Sequence, residues 1–213
     1  MIKVIVFDFD GVLVDSNRLK HEAWFKLFPP KEVSNALIAD VLVKVKATRY
    51  DILREIFRRL GKSEGEIESL VARYADKYNE IVQSGISSMG LNAGAEKTLL
   101  DLKAKFSLYL NSATPEDALA QTINRLEIRN YFKKIYGQSE PRSKEINLQK
   151  IINEENVLPS EVLVVGDGQD DLGAAKALGC LFIGVTNNWN KWHGEEFLTV
   201  SNLPELMDSI KKL

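Results

Sequence analysis

Short apolar segments alternate with amphipathic segments along most of this chain. The apolar segments are rich in β-branched residues and nearly continuous, which is typical of parallel strands that are buried on both faces. The segments between them carry apolar residues at helical spacing, three and four positions apart. This alternation predicts an α/β fold with a doubly wound, Rossmann-like parallel sheet. The predicted strands cover residues 3–7, 106–110, 134–137, 162–165 and 181–185.

The first two predicted strands are too far apart in sequence for a simple crossover. A strand–helix–strand unit needs about 30 residues, and the interval here exceeds that by roughly 70. Four amphipathic segments fill the interval and predict a small helical bundle with its own apolar face. We therefore expect an α/β core formed by residues 1–15 and 92–213, and an inserted α-helical domain formed by residues 16–91. The four amphipathic segments cover residues 18–28, 34–45, 51–60 and 66–84.

Polar residues collect where three of the predicted strands end. Open α/β sheets bind ligands at the carboxyl ends of their strands, so we expect these residues to share one pocket. Carboxylates crowded there are stable only beside a cation or with protons retained, and a ligand set made only of oxygen atoms favours Mg²⁺. The clusters are Asp8-Phe9-Asp10-Gly11, Asn111-Ser112-Ala113-Thr114 and Gly166-Asp167-Gly168-Gln169-Asp170-Asp171.

Part of this pattern has a simpler interpretation. An Asp-Gly pair after a strand is common in turns and helix caps, and this is the more economical explanation of Asp167 taken alone. Turn chemistry does not require two acids around a buried aromatic residue, as at Asp8 and Asp10. A calcium loop is excluded, because Leu172 and Leu178 stand where it needs glycine and glutamate. The sequence also lacks the Gly-rich loop with Lys-Ser/Thr that marks P-loop enzymes.

Composition narrows the class of protein. Of the 213 residues, 45% are hydrophobic and 27% are charged, and 28 basic against 30 acidic side chains give a net charge of −2. These values argue against disorder, a membrane partner or a nucleic-acid partner. The one cysteine, Cys180, excludes an internal disulfide framework and a thiolate metal site. The apolar run at residues 1–7 is too short for a signal peptide, so we expect a cytoplasmic protein. A monomer is the default expectation.

Four segments together resemble the motifs of the haloacid dehalogenase (HAD) superfamily of phosphohydrolases. Residues 8–16 (DFDGVLVDS) look like the first motif and residues 110–115 (LNSATP) like the second. Lys144 is similar to the third motif, and residues 166–171 (GDGQDD) resemble the fourth. All four occur in the family's order, and the resemblance covers the whole chain. The helical insert resembles the cap domain of the phosphoglycolate phosphatase and β-phosphoglucomutase branch.

The resemblance implies a role for each matching residue. Asp8 would be the nucleophile that forms an aspartyl-phosphate, and Asp10 would be the general acid and base. Ser112 and Ala113 would bind the transferring phosphoryl group, and Lys144 would offset its charge, although an exposed lysine at the start of a helix is the simpler interpretation of Lys144. Asp10, the second acid of the first motif, favours phosphate chemistry over dehalogenation, because an alkoxide leaving group needs a proton and a halide does not.

The resemblance also implies a magnesium cofactor. Asp8, the backbone carbonyl of Asp10, and Asp167 would hold the ion. Asp171 would be a further acidic contact, and Asp170 competes for that position because two acids follow one another.

These features predict a magnesium-dependent phosphatase that hydrolyses a small soluble phosphomonoester, with the cap closing over the substrate. Two alternatives stay open: a sugar phosphomutase of the β-phosphoglucomutase type, which transfers phosphate to a hydroxyl group, and a catalytically inactive HAD domain that acts by binding.

Two groups of residues outside the motifs are weaker candidates. Arg49, with Lys44 and Lys46, forms a cationic cluster that either contacts an anionic group of the substrate or belongs to a solvated face. The aromatic residues after the last strand are expected to pack its loop; they are Trp189, Trp192 and His193.

Overall fold

A six-stranded parallel sheet organises most of the chain. The computed structural model describes residues 1–45, 48–86, 89–139, 143–187, 190, 192 and 197–213. Within these residues the strand order is β3-β2-β1-β4-β5-β6, and every neighbouring pair is parallel. The α/β, Rossmann-like class predicted from the sequence is confirmed. The strands are β1 (Val4–Phe7), β2 (Ser107–Pro115), β3 (Lys134–Gln138), β4 (Val162–Gly166), β5 (Leu181–Val185) and β6 (Leu198–Val200).

Helices connect and cover these strands. Alternate residues of β1 enter two separate apolar clusters: Ile5 and Phe7 belong to one, and Val4 and Val6 to the other. Both faces of the sheet are therefore buried, which explains why β1 is apolar at every position. The helices are α1 (Ser16–Leu27), α2 (Asn35–Lys44), α3 (Arg49–Arg59), α4 (Glu64–Ile86), α5 (Ala95–Lys103), α6 (Glu116–Arg125), α7 (Ser143–Glu155), α8 (Gln169–Leu178) and α9 (Leu206–Ile210).

Two strands differ from the sequence-based expectation. Strand β2 does not end at Leu110 but continues through the polar residues to Pro115, which pairs with Gln138 after a register shift. The expected boundary followed the loss of hydrophobicity, whereas the backbone still pairs with β3 at Asn111 and pairs with it again at Pro115. Strand β6 was not predicted, because three residues are too few to show a period.

The chain divides into two compact units. Unit one contains residues 1–17 and 89–213, and unit two contains residues 18–88. The sequence predicts a core of residues 1–15 and 92–213 and an insertion of residues 16–91. In unit one, Asn92 links the two segments that flank the insertion: its N–H donates to the carbonyl of Leu13 at 2.8 Å, and its Nδ2 donates to the carbonyl of Val12 at 2.8 Å.

Unit two is helical and has a core rich in aromatic residues. The rings of Trp24 and Tyr78 lie 4.4 Å apart, and Phe28 stacks on Tyr74 at 4.9 Å. Phe57 of α3 meets Tyr74 of α4 edge-on. These contacts supply the apolar face that amphipathic helices need in order to be stable in water. Among the described helices, none has the length and apolar character needed to cross a membrane.

Candidate active site

A tight turn at the end of β1 carries two acids to the carboxyl edge of the sheet. Asp8 still pairs with β4, since its N–H donates to the carbonyl of Val165 at 2.9 Å. The chain then turns at Gly11, which has a left-handed φ of +76°. A Cβ at this position would lie 2.0 Å from Oδ2 of Asp167, so both the backbone angle and the space require glycine. Asp8 and Asp10 are both buried on this turn.

Lys144 lies at the centre of a buried carboxylate cluster. Its Nζ is 2.7 Å from Oδ1 of Asp171, 3.0 Å from Oδ2 of Asp170 and 3.1 Å from Oδ2 of Asp8. The lysine itself is only 8% exposed, so the exposed position weighed in the sequence analysis is wrong. The other oxygen of Asp8, Oδ1, accepts a hydrogen bond from the N–H of Phe9 at 2.7 Å. One amine therefore faces three carboxylates.

The charged groups in this cluster shift one another's pKa values. Burial, followed by repulsion from Asp171, raises the pKa of Asp8 well above its ordinary value despite the nearby amine of Lys144. Burial and the charge of Asp170 raise the pKa of Asp171 to about 6, although Lys144 opposes the shift. Burial disfavours the charged form of Lys144, but attraction to Asp171 and Asp8 outweighs it and raises the pKa of the lysine. When its carboxylates are ionised, the site carries more negative charge than its single amine neutralises.

The acidic residues can hold a divalent cation. Among the described residues, Asp8, Asp167 and Asp171 each offer one carboxylate oxygen, and these atoms lie within 4.8 Å of one another. Hard oxygen donors in this number suit Mg²⁺, which completes its shell with water and substrate oxygens. A cation there would also relieve the repulsion that raises the pKa values of Asp8 and Asp171. The residues therefore fit the expected metal.

The structure separates the two adjacent acids of α8. Asp171 is the third residue of the helix; its Oδ2 accepts from the N–H of Gly168 at 3.2 Å, and its Oδ1 faces Lys144. Asp171 is buried, whereas the side chain of Asp170 is 56% exposed. Asp171 rather than Asp170 thus groups with the other two oxygen donors.

Two hydroxyl groups hold Asp10. Ser16 donates to its Oδ1, and Thr114 donates to its Oδ2 at 2.6 Å. The N–H of Thr114 also donates to Oγ of Ser112 at 3.0 Å, so Thr114 connects the expected general acid with the expected phosphate contact. Ser112 is fully buried, and Ala113 beside it is exposed. Thr114 was not singled out from the sequence, although it stands in the same polar cluster.

Two buried amides fix the backbone at Lys144. Nδ2 of Asn111 donates to the carbonyl of Lys144 at 2.8 Å, and Nδ2 of Asn147 donates to Oδ1 of Asn111 at 3.3 Å. Because Asn111 belongs to β2, this bond ties the start of α7 to the sheet. Buried amides of this kind persist only when they are hydrogen-bonded, so they lock the lysine's position.

Three asparagines surround Asp167. Nδ2 of Asn17 and Nδ2 of Asn187 both donate to Oδ2 of Asp167 at 2.7 Å. Asn190 donates to the backbone carbonyl of Asp167 and to that of Val185. These residues were not predicted from the sequence. Asn187 nevertheless follows β5 at the same edge of the sheet, where polar residues after a strand indicate a ligand site.

The remaining candidates either have contacts within their own unit or fall outside the described residues. Arg49 begins α3 in unit two, where it donates a hydrogen bond to Oδ1 of Asn79. Lys44 pairs with Asp40 at 2.9 Å. Nε1 of Trp192 donates to a backbone carbonyl at 3.2 Å, and its ring packs on two phenylalanines. Three candidates lie outside the described residues: Lys46, Trp189 and His193.

Comparison with known proteins agrees with the four motifs. The family model for haloacid dehalogenase-like hydrolases matches residues 5–185. A phosphoglycolate phosphatase of Vibrio parahaemolyticus is 28% identical over 222 residues, covering 100% of this chain and 94% of the relative.

Solved structures show the same fold. A β-phosphoglucomutase from Clostridium difficile superposes with a TM-score of 0.75 at 23% identity, covering 100% of this chain and 96% of the other. A haloacid dehalogenase-like hydrolase from Streptococcus pneumoniae gives 0.73 at 21% identity, with 98% of each chain covered. The resemblance drawn from the motifs and the expectation of a hydrolase are confirmed: this chain belongs to the haloacid dehalogenase-like hydrolase family.

Proposed function

We propose that this protein is a magnesium-dependent phosphomonoester hydrolase that works through a phosphorylated Asp8. The observation that carries the proposal is that one buried amine, Lys144, faces the buried carboxylates of Asp8 and Asp171 and the exposed carboxylate of Asp170 within 3.1 Å. A site with this charge excess is built to receive a cation and an anionic substrate together. The phosphoglycolate phosphatases among its relatives support the same reaction class.

Asp8 is the proposed nucleophile. Its Oδ1 is held by the N–H of Phe9 and its Oδ2 faces the amine of Lys144, so the carboxylate has a fixed direction. Attack on phosphorus forms the bond from the Asp8 oxygen and breaks the bond to the ester oxygen, giving an aspartyl-phosphate and an alcohol. Lys144 reduces the repulsion between the attacking carboxylate and the phosphate.

Asp10 is the proposed acid and base of the two steps. Protonated Asp10 gives its proton to the departing ester oxygen, which leaves as the alcohol. Asp10 then takes a proton from the water that attacks the aspartyl-phosphate, which releases inorganic phosphate and restores Asp8. Ser16 and Thr114 hold its two oxygens in place.

The metal and the phosphate contacts complete the proposed site. Asp8, Asp167 and Asp171 would hold the magnesium ion, which would supply positive charge that offsets the repulsion between phosphate and carboxylate. Ser112 and Ala113 are the proposed contacts of the phosphoryl group. Selection of the substrate by Arg49 stays a prediction.

A phosphatase screen tests the proposal. Purified protein is incubated with Mg²⁺ and a panel of sugar phosphates, phosphoglycolate and nucleotides, and inorganic phosphate is measured. We expect release from at least one small phosphomonoester and loss of release with a chelator. Isomerised sugar phosphate in place of free phosphate would identify a phosphomutase instead. No turnover on any member would favour a domain that acts by binding.

A further inference from the structure

We infer that Asn17 and Asn187 are positioning residues for the metal ion, because they fix the carboxylate of Asp167 from two distant parts of the chain. The inference rests on the proposed function, since it assigns these amides to the magnesium site. Neither residue is itself among the oxygen donors grouped above, and neither belongs to the segments that resemble the four motifs.

Asn17 and Asn187 converge on a single oxygen of Asp167. Both Nδ2 groups donate to the same atom, Oδ2 of Asp167, and both distances are 2.7 Å. Asn17 reaches this atom from the first turn of α1, and Asn187 reaches it from the loop after β5. All three residues belong to unit one.

Two donors on one oxygen define the rotation of the carboxylate about its Cβ–Cγ bond. They therefore also define where the second oxygen of Asp167 lies relative to Asp8 and Asp171. The amides are neutral, so they orient the carboxylate without cancelling the charge that attracts a cation. A lysine or arginine in either place would orient Asp167 equally well but compete with the metal.

Asn187 is itself held in place by Asn190. The N–H of Asn187 donates to Oδ1 of Asn190 at 2.9 Å, and the N–H of Asn190 donates to Oδ1 of Asn187 at 3.0 Å. Nδ2 of Asn190 then reaches the carbonyls of Asp167 and Val185. Both the side chain and the backbone of Asp167 are thus set by the same loop.

Metal titration without substrate tests the inference. Mn²⁺ binding is followed by electron paramagnetic resonance, and Mg²⁺ binding by calorimetry, for the wild type, Asn17→Ala, Asn187→Ala and the double variant. We expect each single variant to weaken metal binding about 10-fold and the double variant more, within the range of about 10–100-fold typical of groups that orient metal ligands. The thermal midpoint of the metal-free protein should change little.

Matched controls separate positioning from general damage. Asn153→Ala removes an exposed amide on α7 and should leave metal affinity unchanged. Asn187→Ser keeps a shorter donor and should recover part of the affinity lost in Asn187→Ala. Circular dichroism identifies any variant that fails to fold, and the single variants then decide the question.

The outcomes distinguish this inference from the proposed function. If the wild type binds no metal, or if Asp167→Ala leaves its metal affinity unchanged, the magnesium part of the proposed function is overturned. This inference is then overturned with it. A wild-type site whose affinity is unchanged in both single variants would overturn the positioning role alone. Lower thermal midpoints with unchanged metal affinity would show that the amides serve the fold rather than the metal.

Discussion

Ion pairs on α3 and the cluster around Lys144 bring basic and acidic side chains to similar distances, but the pKa values of the exposed and the buried acids shift in opposite directions. On α3 of unit two, Arg54 meets Glu68 at 2.8 Å, and Arg59 pairs with Asp40 on the surface. Hydrogen bonds from Lys44 and Arg59 lower the pKa of Asp40. In unit one, burial and crowding raise the pKa values of Asp8 and Asp171 even though Lys144 lies beside them.

The difference lies in burial and charge balance, not in distance. Water screens the exposed pairs, and each cation there is matched by acids that stay ionised. Around Lys144 the acids outnumber the amine inside the protein, so the cluster is incomplete by itself. A short distance between opposite charges therefore does not mark a functional site, whereas a buried excess of one sign does.

The largest effect is expected for Asp8→Asn, compared with Asp40→Asn on the surface. The amide cannot attack phosphorus, so kcat should fall by about 10⁴-fold or more, while the fold persists. Asp40→Asn should leave kcat unchanged. Steady-state phosphate release measures both variants, and full activity of Asp8→Asn would refute the nucleophile assignment.

Asp10→Asn should slow the reaction in a way that depends on the leaving group. We expect kcat/KM for an alkyl phosphate to fall by about 10²–10⁴-fold, because the alkoxide then leaves without a proton. The loss should be smaller for 4-nitrophenyl phosphate, whose leaving group is stable as an anion. Mg²⁺ affinity, measured by calorimetry, should persist. Equal losses on the two substrates would place the acid elsewhere.

Lys144→Met removes the buried cation, and Lys97→Met removes an exposed one that pairs with Asp101 on α5. The first should lower kcat by about 10²–10³-fold, because the phosphate loses a fixed positive charge in a water-poor site. The second should change kcat less than about two-fold. Comparable kinetics in Lys144→Met and the wild type would show that the cluster has another role.

The contribution of Asp171 to the stability of the metal-free protein should fall as the pH rises from 3.8 to about 6. The pKa of Asp171 is about 6 in the folded protein against an ordinary 3.8, so its contribution is complete below pH 3.8 and is lost as pH rises through 6. The shift corresponds to about 3 kcal/mol, and saturating Mg²⁺ at the higher pH should restore stability.

Urea unfolding of the wild type and Asp171→Asn measures this dependence. The variant should show a flatter pH profile than the wild type. Parallel profiles in the two proteins would contradict the assignment to Asp171.

The smallest effect is expected for Arg54→Gln on α3. The substitution removes the exposed pair with Glu68, and the thermal midpoint should fall by less than about 2 °C. High salt should reduce the difference further. A calorimetric scan tests this, and a large loss of stability would mean that exposure and charge balance are poor guides to the importance of an ion pair.

The sequence was sufficient for the fold class and for bringing Asp8, Asp167 and Asp171 to one edge of the sheet. Apolar periodicity marks parallel strands, and parallel strands present their carboxyl ends together. The sequence could not decide between Asp170 and Asp171, because that choice depends on where α8 begins and which face of it is buried.

Side-chain hydrogen bonds between residues far apart in sequence also could not be predicted from the pattern of hydrophobic and polar positions. Asn17 and Asp167 are 150 positions apart, and the pair of Thr114 with Asp10 spans 104. Nothing in local spacing signals such contacts, because they depend on how loops from different strands converge. Only the polar character of the strand ends hints at them.

The two hydrogen bonds of Asn92 have a consequence for how this architecture can change over evolution. Because Val12 and Leu13 are bonded directly to Asn92, the chain leaves and rejoins the core at neighbouring points. Residues 18–88 therefore connect two neighbouring points of the core, as a loop does. The entropic cost of closing a flexible loop rises by only about 0.6 kcal/mol for each doubling of its length. The insertion can lengthen, shorten or be exchanged for another domain while the strand ends that carry Asp8 and Asp167 keep their places.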